Sequence, residues 1–244
     1  MSNEVTVLSA NALPTVVIPS LEEFREVAQS SSFLQRIQLY SKGRYVETGL
    51  ISPGHFGVPV SEDEIEDLGT EIDLLVISLR LKAIDMSDKD AISVTYDSTS
   101  PEYSRIRDAA DTTKDSHCMY GPTFLVFERG SGRSYEMFFG NKSMRREATK
   151  LYGFLPLSPE KAAELSAKTG KTIEPHGPQT CTLKAKYVTA KGYGWHVPVC
   201  YPCSTPFDNL PSIEAMSDEL LKFHAIKGDE VEKVEEPAGK RRAR

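Results

Sequence analysis

The stretch Glu71–Asp85 constrains the fold of this chain more than any other part of the sequence. It contains the continuous apolar run 74–77 and then alternates, with Leu79 and Leu81 against Arg80 and Lys82. Apolar runs and period-two alternation are both typical of β-strands. The stretch therefore predicts the clearest strand of the chain, at the centre of a β-rich protein.

Other segments predict the remaining strands. Residues 123–128 and 134–139 flank the glycine-containing turn 129–133 and give the strongest hairpin signal in the chain. Pro198, within residues 195–199, predicts an edge strand because proline cannot donate a ladder hydrogen bond. Further strand-like patterns cover residues 33–39, 45–51, 91–97 and 181–189.

Helices are predicted between these strands and near both ends of the chain. Ser20 and Glu23 have the spacing of a capping box, and apolar residues recur at helical spacing through 21–29. The acidic stretch 61–67 predicts a surface helix or turn. The other predicted helices cover residues 101–111, 141–153 and 159–168 and the amphipathic stretch after Pro211.

This order of elements predicts a mainly β fold, a barrel or a sandwich, with helical insertions. We divide the chain into an extended arm at 1–20, one β-rich core domain at 21–226 and a charged tail at 227–244. We expect the two ends to be disordered, because the tail has almost no residues that could form a core.

Composition and motifs restrict the classes of function that the protein can have. The formal net charge is -6, so any nucleic-acid surface has to be a local patch. No apolar stretch approaches the roughly 20 residues that cross a bilayer, and the first residues lack the pattern of a secretion signal. We therefore expect a cytoplasmic protein that does not bind membranes. The motifs of nucleotide-binding enzymes, serine hydrolases and zinc proteases are missing, which favours a non-enzymatic role.

Two segments, 120–150 and 184–195, combine aromatic and basic residues. Proteins that bind single strands use aromatic rings to stack bases and cations to contact phosphates. Between Arg129 and Lys150 the local net charge is +4. The alternative is that the aromatic residues fill the core and the charged residues form ordinary solvated faces. The candidate nucleic-acid-binding residues are Arg129, Arg133, Tyr135, Phe138, Lys142, Arg145, Arg146, Lys184, Lys186, Lys191, Tyr193 and Trp195.

The four cysteines are expected to be reduced in the cytoplasm. Cys200 and Cys203 have the spacing of a zinc-ligand pair, and Cys118 and His196 are candidates to complete such a set. No second Cys-x-x-Cys pair exists, and the context of a thioredoxin-like redox site is missing. We therefore favour buried structural thiols and no cofactor.

Three stretches carry a resemblance to a known group of proteins: CMYGPTFLVF at 118–127, FFGNKSMRREA at 138–148 and WHVPVCYPCSTPF at 195–207. They resemble bacteriophage replication-module proteins regarded as OB-fold single-stranded-DNA-binding proteins, over residues 33–225. The resemblance implies an OB-like Greek-key barrel with an extra hairpin. It also implies a groove that takes single-stranded DNA without strong sequence preference.

The hypothesis is therefore a single-stranded-DNA-binding protein of replication or recombination, located in the host cytoplasm if it is phage-encoded. Such proteins often end in an acidic tail that recruits replication partners. Here an acidic segment, 229–236, is followed by the basic end 240–244, which departs from that pattern. The alternative hypothesis is a structural or interaction protein of a virion or another assembly.

Overall fold

The computed structural model describes residues 34–88, 92–112, 117–190, 192–203 and 210–225. The strands are β1 Gln38–Leu39, β2 Phe56–Ser61, β3 Glu64–Gly69, β4 Glu71–Asp85, β5 Ser93–Thr95, β6 Cys118–Glu128, β7 Arg133–Phe138, β8 Gln179–Ala190 and β9 Tyr193–Pro202. The helices are α1 Arg44–Glu47, α2 Pro101–Thr112, α3 Lys142–Leu151, α4 Pro159–Thr169 and α5 Ile213–Ala225, with a 3-10 turn at Tyr152–Phe154.

Strand β4 is the centre of the larger sheet, whose order is β7-β6-β4-β8-β9. β6 pairs with β4 along one edge, from Leu74 to Asp85. The other edge is shared, because β8 pairs with residues 71–76 and β5 pairs with residues 83–85. Strands β1, β2 and β3 form a separate small sheet. All of these pairings are antiparallel.

The apolar run of β4 is buried on both faces of the large sheet. Leu74 and Val76 point to the small-sheet face, where they join one core with Phe56 and Val58 of β2. Leu75 and Ile77 point to the opposite face and pack with the apolar residues of α5, Met216, Leu220 and Phe223. We call this second face the α5 face. Burial on both faces explains why the run is continuously apolar.

Beyond the apolar run, β4 carries buried charges on the α5 face. Arg80 forms an ion pair with Glu136 of β7 and donates a hydrogen bond to the Phe223 carbonyl of α5. Arg36 forms a second ion pair with Glu136 at 3.2 Å, and Lys82 is only 1% exposed. Burial alone would raise the pKa of Glu136, but Arg80, Lys82 and Arg36 hold that pKa below its usual range. This cluster therefore joins both sheet strands to the end of α5.

The structure confirms the mainly β class and most of the expected elements. These include the central strand, the β6–β7 hairpin, the helices at α2, α3, α4 and α5, and the position of β9 at a sheet edge. The large sheet runs from β7 to β9, residues 35–37 are hydrogen-bonded to the outer side of β7, and no closed barrel forms among the described residues. The predicted arm 1–20, the helix at 21–29 and the tail 227–244 lie outside the described residues.

One local prediction is wrong, and a second is confirmed only in part. Residues 44–47 form helix α1 rather than part of a strand, and the Tyr45 ring packs edge-on against Tyr40 at 5.8 Å. The acidic stretch 61–67 is a turn followed by β3, in which Ile65 lies against Gly57 of β2. In both places tertiary packing overrides the local propensity.

Among the described residues, no helix has the length and apolar character needed to cross a membrane.

We expect Glu136→Gln to lower the free energy of unfolding by about 3 kcal/mol, because it leaves Arg80 buried without its counter-charge. The ionised carboxylate stabilises the fold above its unfolded pKa, and this contribution disappears as the pH falls through the lower folded pKa. The difference between variant and wild type should therefore be largest at neutral pH and vanish in acid. Urea denaturation at several pH values measures it, with the exposed Glu214→Gln as control. A difference that does not depend on pH would contradict this account.

Candidate nucleic-acid interface

Strands β8 and β9 extend beyond the rest of the large sheet as a two-stranded ribbon. β8 pairs with β4 only as far as Lys184, opposite Glu71. From Lys186 to Ala190 its partner is β9 alone, within the part of the chain that the structure describes. We call residues 186–190 and 193–197 the ribbon. The ribbon has no third strand beside it within the described residues, and its side chains Lys186, Tyr187 and Tyr193 are exposed, whereas Val197 is buried.

One face of the ribbon continues the α5 face of the sheet. Thr180 pairs with Leu75, so the even-numbered residues of β8 lie on this face with their β9 partners. Trp195 is partly buried opposite Val188, whereas Tyr193 is 77% exposed and Tyr201 is 44% exposed. We call this surface the aromatic strip, which consists of Tyr193, Trp195, Tyr201, Lys184 and Lys186.

Helix α3 carries a row of cations beside β9, on the small-sheet side of the large sheet. Lys142, Arg146 and Lys150 are spaced four residues apart, so they lie on one side of the helix, and all three are exposed. The helix packs beside β9. Glu147, 2.6 Å from Lys150, is the main cause of the raised pKa of that ammonium, and Tyr201 contributes to it. Ala148 and Leu151 of the helix belong to the small-sheet core, so the α3 row and the aromatic strip lie on opposite sides of β9.

The cations of this surface differ in whether a carboxylate already neutralises them. Lys184 lies 2.8 Å from Glu71, and its ammonium is 6.0 Å from the Tyr201 ring. Lys142, Arg146 and Lys186 have no carboxylate partner among the described residues. These three are the cations most readily available to phosphates.

The β6–β7 hairpin does not present its aromatic and basic residues on one surface. Tyr135 is fully buried in the main core, and Arg133 pairs with Glu66 of β3 on the small-sheet face. Phe138 lies on the opposite face, beside the buried Lys82 at 5.7 Å. Arg129 is partly buried and forms an ion pair with Asp73 at 3.3 Å. Tyr135 is therefore not available for stacking in this structure, and Arg129 and Arg133 are already paired.

Arg145 connects three elements instead of facing solvent. Its guanidinium lies 3.8 Å from the centre of the Tyr120 ring. It donates hydrogen bonds to the carbonyls of Tyr120 and Gly140 and forms an ion pair with Asp111 of α2 at 2.9 Å. Its neighbour Arg146 is exposed. The adjacent arginines thus have different roles, one structural and one available to a ligand.

The zinc-ligand candidates do not come together. Cys118 pairs with Asp85 at one end of β4, whereas Cys200 pairs with Leu183 beside the other end. The strand rise of about 3.3 Å per residue places them about 40 Å apart along β4. His196 is held by Ser41, and no group of three or more His, Cys, Asp or Glu side chains suited to a metal occurs in the described residues.

Cys200 has a different partner. It contacts Cys181 of the neighbouring strand through a thiol hydrogen bond, which raises the pKa of Cys181 and lowers that of Cys200. Both residues are buried, as expected for structural thiols, whereas Cys118 and Cys203 are partly exposed.

Two exposed aromatic residues of β8 and β9 were missed by the sequence analysis. Tyr187 is not among the candidate residues, and only the alternative interpretation placed it in the core, but it is 60% exposed. Tyr201 was not singled out, although it has the same parity along β9 as Tyr193 and Trp195 and thus lies on their face. Lys191 lies outside the described residues.

No protein-family model, no curated protein and no solved structure matches the chain. The resemblance to phage single-stranded-DNA-binding proteins therefore stays a prediction.

We expect Arg145→Ala to lower the free energy of unfolding by about 2 kcal/mol, because it removes several hydrogen bonds and a cation–π contact. Arg146→Ala, the matched control, should change it by less than about 0.5 kcal/mol, as is usual for exposed residues. Chemical denaturation of both variants measures the difference. Equal stability of the two variants would contradict the structural role of Arg145.

Proposed function

We propose that the protein binds single-stranded DNA without strong sequence preference, through the aromatic strip and the α3 row. It acts stoichiometrically in replication or recombination and not as an enzyme. The observation that carries the proposal is the concentration of exposed aromatic side chains. Among the described residues, four tyrosines are exposed large hydrophobics, and three of them are in β8 or β9, Tyr187, Tyr193 and Tyr201.

The strip supplies both interactions that single-strand binding requires. Exposed rings offer stacking surfaces to unpaired bases, and every base has a π-face, so stacking tolerates any sequence. Tyr193 and Trp195 are alternate residues of one strand, about 7 Å apart. Lys186 lies on the same face as these rings and Arg146 lies on α3 beside β9, so both can contact backbone phosphates. A duplex offers phosphates but hides its base faces, so single strands are the preferred ligand.

Local charge explains how an acidic protein can attract DNA. The acidic turn before β3 pairs with Arg44, and Glu66 pairs with Arg133, both on the small sheet. Among the described residues, Lys142, Arg146 and Lys186 have no carboxylate partner, and they belong to α3 and β8 instead. An open sheet with a projecting ribbon supplies this surface without a closed barrel. The OB-like arrangement implied by the resemblance is thus compatible with the proposal but is not required by it.

Trp195 is the only tryptophan of the chain, so its fluorescence reports directly on the strip. We expect oligothymidylate to quench this fluorescence, because a base stacks on or beside the indole. A single strand should compete far better than a duplex of the same length. The proposal would be refuted if neither ligand quenched the fluorescence. Equal competition by the single strand and the duplex would show that binding is electrostatic and does not involve stacking. Self-association in place of DNA binding would favour the assembly-protein alternative.

Charge removal tests the phosphate contacts. We expect Lys186→Ala and Arg146→Ala each to weaken binding and to reduce the slope of log affinity against log salt by about 0.7, the value for one contact to a single strand. Lys171→Ala removes an equally exposed lysine from the segment after α4 and serves as the control, with an unchanged slope. Fluorescence titrations at several salt concentrations give the slopes. If all three variants lost affinity equally, net charge and not this surface would determine binding.

A further inference from the structure

We propose that the opposite face of the ribbon carries a second stacking position for the same nucleic-acid strand, formed by Tyr187 with Lys42. This inference rests on the proposed function and extends the site from one face of the ribbon to both.

Tyr187 is exposed and yet fixed in place. Its ring contacts the His196 ring, with 5.1 Å between centroids, and its hydroxyl end lies across Gly194 of the neighbouring strand. A Cβ atom on Gly194 would sit 1.7 Å from the Tyr187 hydroxyl oxygen, so only glycine allows this arrangement. The ring is nevertheless 60% exposed. A ring that is fixed by contacts on one side and exposed on the other loses little conformational entropy when a base stacks on it.

His196, which supports the ring, is itself held by two loops. Its backbone N–H donates to the Ser41 hydroxyl at 2.8 Å, and its ring nitrogen Nδ1 lies 3.4 Å from the same oxygen. Gly54 has a φ of +85° and lies so close that an added Cβ would be 2.8 Å from the imidazole. Burial lowers the pKa of His196, which favours the neutral ring. Three separate segments of the chain thus position one exposed tyrosine.

Lys42 supplies the charge on this face. It follows Ser41 directly, is exposed, and has no carboxylate partner among the described residues. Because Ser41 contacts His196, its neighbour Lys42 is placed on the side of the ribbon that carries Tyr187. A ring that served only the stability of the ribbon would be expected to be covered, because the gain comes from removing apolar surface from water. We therefore assign this face to the same class of ligand, an unpaired strand with phosphates.

The two stacking positions lie on opposite sides of one sheet layer, about 10 Å thick. A strand that stacks on Trp195 must pass around the ribbon before one of its bases reaches Tyr187. Short oligonucleotides can occupy only one face, whereas longer ones can occupy both. Oligonucleotide length therefore separates the second position from the first.

The test compares oligothymidylates of about 5 and about 20 nucleotides, which span the usual site sizes of such proteins. The full chain is titrated as wild type, Tyr187→Ala, Tyr187→Phe and Lys42→Ala, with Trp195 fluorescence as the readout. We expect Tyr187→Ala to weaken binding of the longer strand about fivefold or more and to leave the shorter strand within about twofold. Tyr187→Phe should match wild type. Lys42→Ala should lower the salt slope by about 0.7 for the longer strand only.

Each other outcome is decisive. An equal loss for both lengths in Tyr187→Ala would mean that the ring only supports the Trp195 face, and no loss for either length would mean that the ring is not a contact. Both results overturn the second position while leaving the proposed function intact. Absence of Trp195 quenching in the wild type would instead refute the proposed function itself.

Discussion

The requirement that β4 be covered on both faces determines the arrangement of the other elements. Its apolar residues alternate between two cores, so one side needs the small sheet and α3, and the other needs α5. Where the apolar run ends, the buried pair Arg80–Glu136 replaces apolar packing and holds the end of α5 on the sheet. Removing either partner leaves a charge that the low-dielectric interior cannot accommodate.

The same strand sets the position of the candidate site. β8 and β9 are longer than the stretch of β4 that they accompany, so their far ends have no further neighbour in the described residues. Side chains are buried where another element packs on their face, as at Phe124 and Tyr135, whereas Tyr187 and Tyr193 of the ribbon are exposed.

The sequence predicted those elements whose signals are local. The β6–β7 hairpin has its turn glycines between two apolar runs, and α4 has its Ser158 cap and its terminal glycine. The strand predicted at 45–51 does not form, because β-favouring side chains there pack as a helix against Tyr40. The site was predicted only in part. Strand parity indicates that Tyr193 and Trp195 share a face, but the exposure of Tyr187 depends on where β4 begins, which is a property of the whole sheet.

β9 is an edge strand, and an edge strand offers its free backbone groups to any other strand that approaches. Pro198 and Pro202 interrupt this row of donors, since neither has an N–H to contribute. A second copy of the chain would therefore find a poor template at this edge. Pairing of β9 with strands of other copies, which would lead to fibrils, is therefore disfavoured. Without the prolines, the exposed aromatic residues of β9 would make this edge the most favourable place for such pairing.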